Sequence, residues 1–96
     1  MLYLISYDVS TEDKAGKVRL RKVAKVCENY GVRVQNSVFE CILTYVDYIH
    51  LRNELTLIID THADSLRFYP LGKNGREKVV HIGVNRGIDV EGALVL

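Results

Sequence analysis

Residues 2–9, LYLISYDV, decide the fold of this 96-residue chain. Successive side chains of a strand point to opposite faces, so Leu2 and Leu4 share one face and Tyr3 and Ile5 share the other. Both faces are mostly apolar, and a strand of this kind is covered on both sides. The segment therefore predicts a central strand of a sheet.

Helical and β patterns alternate along the rest of the chain. Gly31 follows the first helical pattern and is typical of a residue that ends a helix. A polar break at 35–37 within a long β-rich run predicts a bend, a bulge or a tight turn. The predicted elements, in chain order, are a strand at 2–9, a helix at about 12–30, the β-rich run at 32–44, a helix at about 46–60, and strands at 64–71 and 79–83.

Two strand-rich halves, each with one helix, give the order βαββαβ. This order predicts an α+β sandwich of the ferredoxin-like class, with both helices on one face of an antiparallel sheet. The prediction places this domain at residues 1–83. The other sheet face is open, and we expect it or its edge to be lined by Tyr3, Tyr7, Phe68 and Tyr69.

The C-terminal residues 84–96 are predicted to be a dimerisation segment. Gly87 and Gly92 interrupt this segment, and it ends in Ala-Leu-Val-Leu. Such an apolar segment favours an extra strand that pairs with an open sheet edge, here that of a second copy. A chain of this size buries only about 60–65% of its unfolded surface, so an open sheet face also favours a homodimer.

Composition excludes several classes of protein. Hydrophobic residues make up 48% and charged residues 26% of the chain, which excludes a disordered protein. No apolar run reaches the length of a transmembrane helix, and the first residues lack the basic segment of a signal peptide. We therefore expect a cytoplasmic protein without a membrane partner. Cys27 and Cys41 lack C-x-x-C spacing and are interpreted as reduced core residues.

Positive charge is concentrated in one segment. Residues 14–33 hold seven basic residues and one acidic residue, although the net charge of the chain is only +1. Lys14, Arg21 and Lys25 fall on one line of the first helix, roughly opposite its apolar stripe. This line has two interpretations: a solvated helix face, or a surface that binds nucleic-acid phosphates.

Asp8 is the acid with the clearest functional signal. It lies near the end of the predicted central strand, where the chain turns into the helix, and ligand sites favour such positions. A turn or capping aspartate is the alternative interpretation. Mg²⁺ is held by one or two carboxylates with waters and substrate phosphates, and an isologous dimer would supply a second Asp8. Such a pair would suffice for metal-activated attack of water on a phosphodiester.

Three residues of the β-rich run are further candidates. Arg33 and the Ser37 hydroxyl have donors for phosphate, and Phe39 has a ring that stacks on a base or packs at a dimer interface. The alternatives are a surface arginine, a serine in a bulge and a core phenylalanine.

Several segments together resemble a known family. LISYDVS, the basic R-L-R-K helix, the segment G-V-R-V-Q-N-S-V-F-E-C and the strand D-S-L-R-F-Y follow one another over the whole chain. In this order they are similar to the Cas-two family, the small CRISPR-associated endoribonucleases that partner the CRISPR integrase. The chain looks most like members from type I-C systems.

The resemblance implies a ferredoxin-like homodimer whose C-terminal strand crosses to the partner's sheet. It implies an endonuclease that depends on Mg²⁺, or on Mn²⁺ as the alternative ion, with Asp8 as catalytic residue and metal ligand. The implied substrate is single-stranded RNA or double-stranded DNA. The accessory or nucleic-acid-binding candidates that match the family's motifs are Tyr7, Arg33, Ser37 and Phe39, with Arg19 and Arg21 as the two helix arginines.

Two functions are therefore predicted. The first is a metal-dependent nuclease of CRISPR adaptation, the acquisition of spacers for antiviral defence. The second is a non-catalytic scaffold dimer, which bridges DNA beside the integrase subunit through Lys14, Arg21 and Lys25. A small-molecule regulatory domain of the same fold is a third interpretation, and the absence of a glycine-rich ligand loop disfavours it.

Overall fold

A computed structural model of the chain describes residues 1–72 and 78–84. Asn74-Gly75 predicts a turn between the strands at 64–71 and 79–83. Residues 73–77, where this turn is predicted, and the C-terminal residues after Val84 lie outside the described residues. No described helix is long and apolar enough to cross a membrane. The elements are β1 (Leu2–Asp8), α1 (Lys14–Tyr30), β2 (Val32–Gln35), β3 (Val38–Ile42), α2 (Tyr45–Ile58), β4 (Ser65–Pro70) and β5 (Val80–Gly83).

The strands form one antiparallel sheet in the order β2-β3-β1-β4-β5. β1 is therefore central, as its apolar residues predict. The helices α1 and α2 pack together on one face of this sheet. Strands β1 to β4 and the two helices have the ferredoxin-like arrangement, and β5 extends the sheet beyond β4.

The core lies between the sheet and the two helices. β1 contributes Tyr3, Ile5 and Tyr7, none of which is more than 4% exposed. The ring of Tyr3 stacks on Tyr48 of α2 with 4.4 Å between centroids, and Phe68 of β4 meets Tyr48 edge-on at 5.7 Å. Aromatic packing therefore joins the central strand, β4 and α2.

The aromatic residues expected on the open sheet face lie mostly on the other face. That expectation is wrong for Tyr3, Tyr7 and Phe68, because they share the helix-covered face with the buried Ile5. Phe68 and Tyr69 are adjacent in a strand and must point to opposite faces. Tyr69, which pairs with Leu4, therefore lies on the sheet face away from the helices.

The β-rich run 32–44 forms two strands with a tight turn between them. Val32 pairs with Glu40, Arg33 with Phe39 and Gln35 with Val38. The register shifts between Arg33 and Gln35, so a bulge precedes the turn. The turn and the bulge, two of the three alternatives read from the sequence, are both present.

Side-chain caps define where the helices begin. Asp13 is the N-cap of α1, and its carboxylate accepts a hydrogen bond from the Gly16 N–H at 2.8 Å. The helix consequently begins at Lys14, slightly later than predicted. Thr44 caps α2, and its hydroxyl accepts from the Asp47 N–H at 3.1 Å.

Gly31 ends α1 for a reason different from the predicted one. Its φ of −164° is extended rather than left-handed. A Cβ at this position would meet the carbonyl oxygen of Glu40 and the Sγ of Cys41, so the close approach of β3 requires glycine. Cys41 and Cys27 are buried free thiols, as the sequence predicts.

The sheet face opposite the helices, here called the open sheet face, carries no helix within residues 1–72 and 78–84. Two apolar side chains on it are strongly exposed, Ile42 at 82% and Val32 at 68%. Arg67 is only 5% exposed, and its Nη1 lies 3.2 Å from Nδ1 of His81. Its Nε and Nη2 are buried and have no hydrogen-bond partner among the described residues.

Candidate active site and nucleic-acid-binding surface

Asp8 is the last residue of β1, and its side chain is exposed. The residues on either side of it, Tyr7 and Val9, are buried. Asp8 pairs with Ser65 of β4 on one side. On the other side, the Tyr7 N–H donates to the Ser37 carbonyl oxygen at 3.1 Å in the β2–β3 turn. The backbone of two neighbouring elements thus fixes an exposed carboxylate at the end of the sheet.

Asp64, which the sequence analysis did not single out, is a fully buried carboxylate beside this strand end. Its Oδ2 accepts from Arg19 Nε at 2.8 Å and from the Asp60 N–H at 2.9 Å. Its Oδ1 accepts from the Ser10 N–H at 2.9 Å and from Arg19 Nη2 at 3.4 Å. Burial opposes ionisation, but the hydrogen bonds from Arg19, Asp60 and Ser10 outweigh it and hold the pKa of Asp64 below its usual range.

Arg19 is consequently turned towards the protein rather than towards solvent. Its side chain is 19% exposed and forms the ion pair with Asp64. At about 100° per residue, Arg19 lies about 140° around α1 from Lys14, whereas Arg21 lies within about 20° of it. The helical angle is the sequence signal that separates the two arginines. It assigns Arg21, which is exposed, to the basic line.

Four predicted site residues come together at the β2–β3 turn. Nη1 of Arg33 donates to the Asn36 carbonyl oxygen at 2.8 Å, and the Tyr7 hydroxyl donates to the same oxygen at 3.3 Å. The guanidinium carbon of Arg33 lies 5.0 Å from the ring centroid of Phe39. The rings of Tyr7 and Phe39 are 6.2 Å apart. Ser37 completes this turn, which lies beside the end of β1.

These residues differ in what they can contact. Phe39 is fully buried, so the core alternative is correct for it and the base-stacking or interface role is wrong. Arg33 is exposed and also bonds Glu28 at 3.3 Å. Burial raises the pKa of Tyr7, with Arg33 opposing the effect, and its hydroxyl is a protonated donor at neutral pH.

A shallow depression of about 480 Å³ lies at the turn and is lined by Gln35, Asn36, Ser37 and Val38.

The chemistry of the donor set decides which metal ion fits at Asp8. No three His, Cys, Asp or Glu side chains of the described residues are grouped so that they could hold a metal ion. Zinc needs three or four protein ligands, so such a site is not indicated there. Mg²⁺ and Mn²⁺ accept one or two carboxylates and complete their shell with water and phosphate oxygens. One exposed carboxylate at the end of β1, with no cluster of further ligands among the described residues, fits the latter ions.

A line of exposed cations runs along α1. Lys14, Arg21 and Lys25 are all exposed and lie within about 40° of one another around the helix. Eleven residues separate the first from the last, which spans about 16 Å of helix. This line lies on α1 and is separate from the β2–β3 turn.

Comparisons with known proteins identify the family. The family model described as CRISPR associated protein Cas2 matches residues 1–79. The chain is 56% identical over 95 residues to the CRISPR-associated endonuclease Cas2 of Halalkalibacterium halodurans, with 99% of both chains covered. It is 51% identical over 96 residues to the CRISPR-associated endoribonuclease Cas2 of Nitratidesulfovibrio vulgaris, which covers 100% of this chain and 94% of the relative.

A solved structure agrees in fold as well as in sequence. The crystal structure of Streptococcus pyogenes Cas2 at pH 6.5 superposes with a TM-score of 0.71 and 53% identity, covering 86% of this chain and 100% of that one. The family match and these relatives extend over Asp8 at the end of β1 and over Arg33 in β2. The chain therefore belongs to the Cas2 family of CRISPR-associated proteins.

Proposed function

We propose that the chain is a Mg²⁺-dependent endonuclease that cleaves single-stranded RNA or double-stranded DNA in the cytoplasm, during the acquisition of CRISPR spacers. Relatives named endonuclease and endoribonuclease support the nuclease activity. One observation carries the proposal: the exposed carboxylate of Asp8 lies at the end of a buried central strand, whose Tyr7 N–H bonds the Ser37 carbonyl oxygen of the β2–β3 turn.

The side chains around Asp8 have distinct roles in this proposal. Asp8 would hold Mg²⁺ or Mn²⁺, which when bound neutralises phosphate charge and activates water. Arg33 has five N–H donors, of which one bonds Asn36 and another bonds Glu28, so others can reach a phosphate oxygen. Tyr7 is 4% exposed and bonds Asn36, so it positions the turn and does not contact substrate.

Cleavage by matched aspartate variants tests the nuclease. Asp8→Asn is compared with wild type and with Asp47→Asn, which removes an exposed carboxylate in the first turn of α2. Leu43 bonds Met1, so α2 begins at the opposite end of β1 from Asp8. Labelled RNA and duplex DNA are incubated with each protein in Mg²⁺ or in EDTA.

We expect wild type and Asp47→Asn to cleave at similar rates in Mg²⁺. Asp8→Asn and every reaction in EDTA should be at least about 100-fold slower, because metal activation of water is lost. The better substrate then identifies the class of nucleic acid. Equal cleavage by Asp8→Asn and wild type would show that Asp8 is not the metal ligand.

The basic line on α1 supports a second function, a non-catalytic scaffold that bridges DNA beside the CRISPR integrase subunit. Lys14, Arg21 and Lys25 lie on α1, whereas Asp8 ends β1, and binding of DNA through this line would not require cleavage. Phosphate contacts of this kind release counterions, which makes affinity fall steeply with salt. Glutamine at all three positions should reduce the salt slope for duplex DNA by about 3. An unchanged slope would contradict the scaffold.

Both functions are proposed for a homodimer. The exposed Ile42 and Val32 show that the open sheet face carries apolar surface. Arg67 on the same face is buried with two nitrogen atoms that no described residue satisfies. A buried guanidinium without acceptors is costly, so an acceptor from outside the described residues is expected there. A second copy across this face would cover the exposed Ile42 and Val32.

A further inference from the structure

We infer that Arg19 and Asp64 form a positioning pair for the Asp8 carboxylate, and that Arg19 does not bind nucleic acid. This inference rests on the proposed nuclease function, because it assigns the pair to the metal-binding end of β1. Its physical basis is one buried carboxylate that joins the two chain segments on either side of Asp8.

The first segment is the loop that follows Asp8. The Ser10 N–H, two residues beyond Asp8, donates to Asp64 Oδ1 at 2.9 Å. The carbonyl oxygen of Ser10 packs against Gly16 of α1, where a Cβ would meet it. The loop is thus held on its amide side by Asp64 and on its carbonyl side by the first turn of α1.

The second segment is the connection from α2 to β4. The Asp60 N–H donates to Asp64 Oδ2 at 2.9 Å, and the Asp64 N–H donates to the Asp60 carbonyl oxygen at 2.7 Å. The next residue, Ser65, pairs directly with Asp8 in the sheet. The carboxylate of Asp64 therefore fixes the strand on which the Asp8 backbone rests.

Arg19 supplies the charge that lets this carboxylate be buried. An ionised carboxylate without a cation is expensive in the interior, and Asp64 is 0% exposed. Arg19 Nε lies 2.8 Å from Oδ2, and the guanidinium is turned away from the line of Lys14, Arg21 and Lys25. The donors of Arg19 that face Asp64 are engaged in the protein, whereas the basic line faces solvent.

A group that orients a metal ligand has a recognisable effect when it is lost. Substitution of residues that orient a metal ligand lowers metal affinity or activity by about 10–100-fold. Arg19→Gln and Asp64→Asn should therefore raise the Mg²⁺ concentration for half-maximal cleavage by about 10–100-fold. Nucleic-acid affinity measured in EDTA, and its salt slope, should stay at the wild-type values.

The experiment measures cleavage against Mg²⁺ concentration, and duplex affinity against salt, in the full-length chain. Arg19→Lys keeps the cation but loses the two-nitrogen contact, so its half-saturating Mg²⁺ concentration should lie between those of wild type and Arg19→Gln. Arg21→Gln is the matched control on the same helix. Its salt slope should be lower than that of wild type by about 1, whereas the slope of Arg19→Gln should not change.

Thermal unfolding of each variant is measured first. If Asp64→Asn does not fold, Arg19→Gln and Arg19→Lys decide, because Asp64 keeps its backbone donors in both.

If Asp8→Asn is inactive, the nuclease stands, and two results would still overturn the inference. One is that Arg19→Gln keeps the wild-type Mg²⁺ dependence. The other is that Arg19→Gln lowers the salt slope as Arg21→Gln does. If Asp8→Asn cleaves as wild type does, the proposed function itself fails.

Discussion

A buried carboxylate with a lowered pKa makes the stability of this fold depend on pH. The pKa of Asp64 is lowered in the folded chain because hydrogen bonds from Arg19, Asp60 and Ser10 outweigh the effect of burial. Its ionised form therefore stabilises the fold above the unfolded pKa of about 3.9, and this contribution is lost as pH falls through the folded pKa.

We expect the free energy of unfolding of wild type to decrease below about pH 5, because the Asp64 carboxyl takes up a proton at a higher pH in the unfolded chain than in the folded chain. Asp64→Asn should be less stable at neutral pH and lose less stability on acidification, because its side chain does not titrate. Urea unfolding between about pH 7 and pH 3 measures both proteins. Parallel pH profiles for the two would contradict a contribution from Asp64.

The two cysteines should be unreactive in the folded chain. Burial raises the pKa of Cys27 to about 12 and that of Cys41 to about 11. The thiolate is the reactive form, and at pH 8 its population is about one in a thousand or less for these values. Labelling by a thiol-reactive disulfide should be at least about 100-fold slower than in the urea-unfolded chain. Rapid labelling of either folded thiol would contradict this.

For single residues, the sequence predicts whether a side chain is exposed better than it predicts which residues that side chain contacts. Asp8 is recognisable because it ends an apolar strand, and its position depends only on local periodicity. Asp64 is not, because its partners Arg19 and Ser10 are distant in sequence and meet it only when the sheet forms. Phe39 shows the same limit, since the motif suggests a ligand contact while its strand register buries the ring.

The junction of α1 with β3 is an element contact that depends on one glycine. Gly31→Ala would place a Cβ against the Glu40 carbonyl oxygen and the Cys41 Sγ. Backbone and buried side-chain atoms yield little, so we expect a loss of about 1–3 kcal/mol in the free energy of unfolding. Chemical denaturation at equal protein concentration measures this loss.

Gly72→Ala is the control for the change at Gly31. A Cβ at Gly72 would lie 3.4 Å from the flexible end of Met1, an ordinary contact. We expect it to change stability by no more than about 0.5 kcal/mol. Equal effects of the two substitutions would show that the approach of β3 is not what requires Gly31.

Elements with strong periodicity are predicted well, and those set by long-range pairing are not. The apolar faces of residues 2–9 identify β1 as central. The run 32–44 contains β-forming residues throughout, so local propensity cannot say whether it bends or folds back. The pairing of β3 with β1 decides, because it leaves Asn36 and Ser37 to form the turn next to the end of β1.

At the scale of the whole molecule, the order of elements was sufficient to predict the sheet and its helix-covered face. Right-handed, short connections leave few arrangements for βαββαβ, and the observed strand order is one of them. The open sheet face is a consequence of this topology, because both helices lie on the other side. We predict that this face is covered when two copies of the chain associate through residues 84–96.

Truncation after Val84 tests that prediction with the described domain intact. The Val84 N–H donates to the Asp64 carbonyl oxygen at 2.8 Å, and its carbonyl oxygen lies 3.0 Å from Nε2 of His81, so the chain is cut beyond both contacts. Loss of the apolar C-terminal segment should weaken the homodimer at least tenfold, or about 1.4 kcal/mol. Sedimentation equilibrium at micromolar concentration should then show a shift towards the monomer mass.

The control for this truncation removes apolar surface elsewhere. Leu57 is 88% exposed on α2, in the helical layer, and Leu57→Ser leaves the open sheet face unchanged. Its sedimentation mass should equal that of wild type. If the truncated chain also keeps the wild-type mass, residues 85–96 do not hold the dimer. The exposed Ile42 and Val32 would then have to be covered by direct packing of two open sheet faces, as in an isologous sandwich.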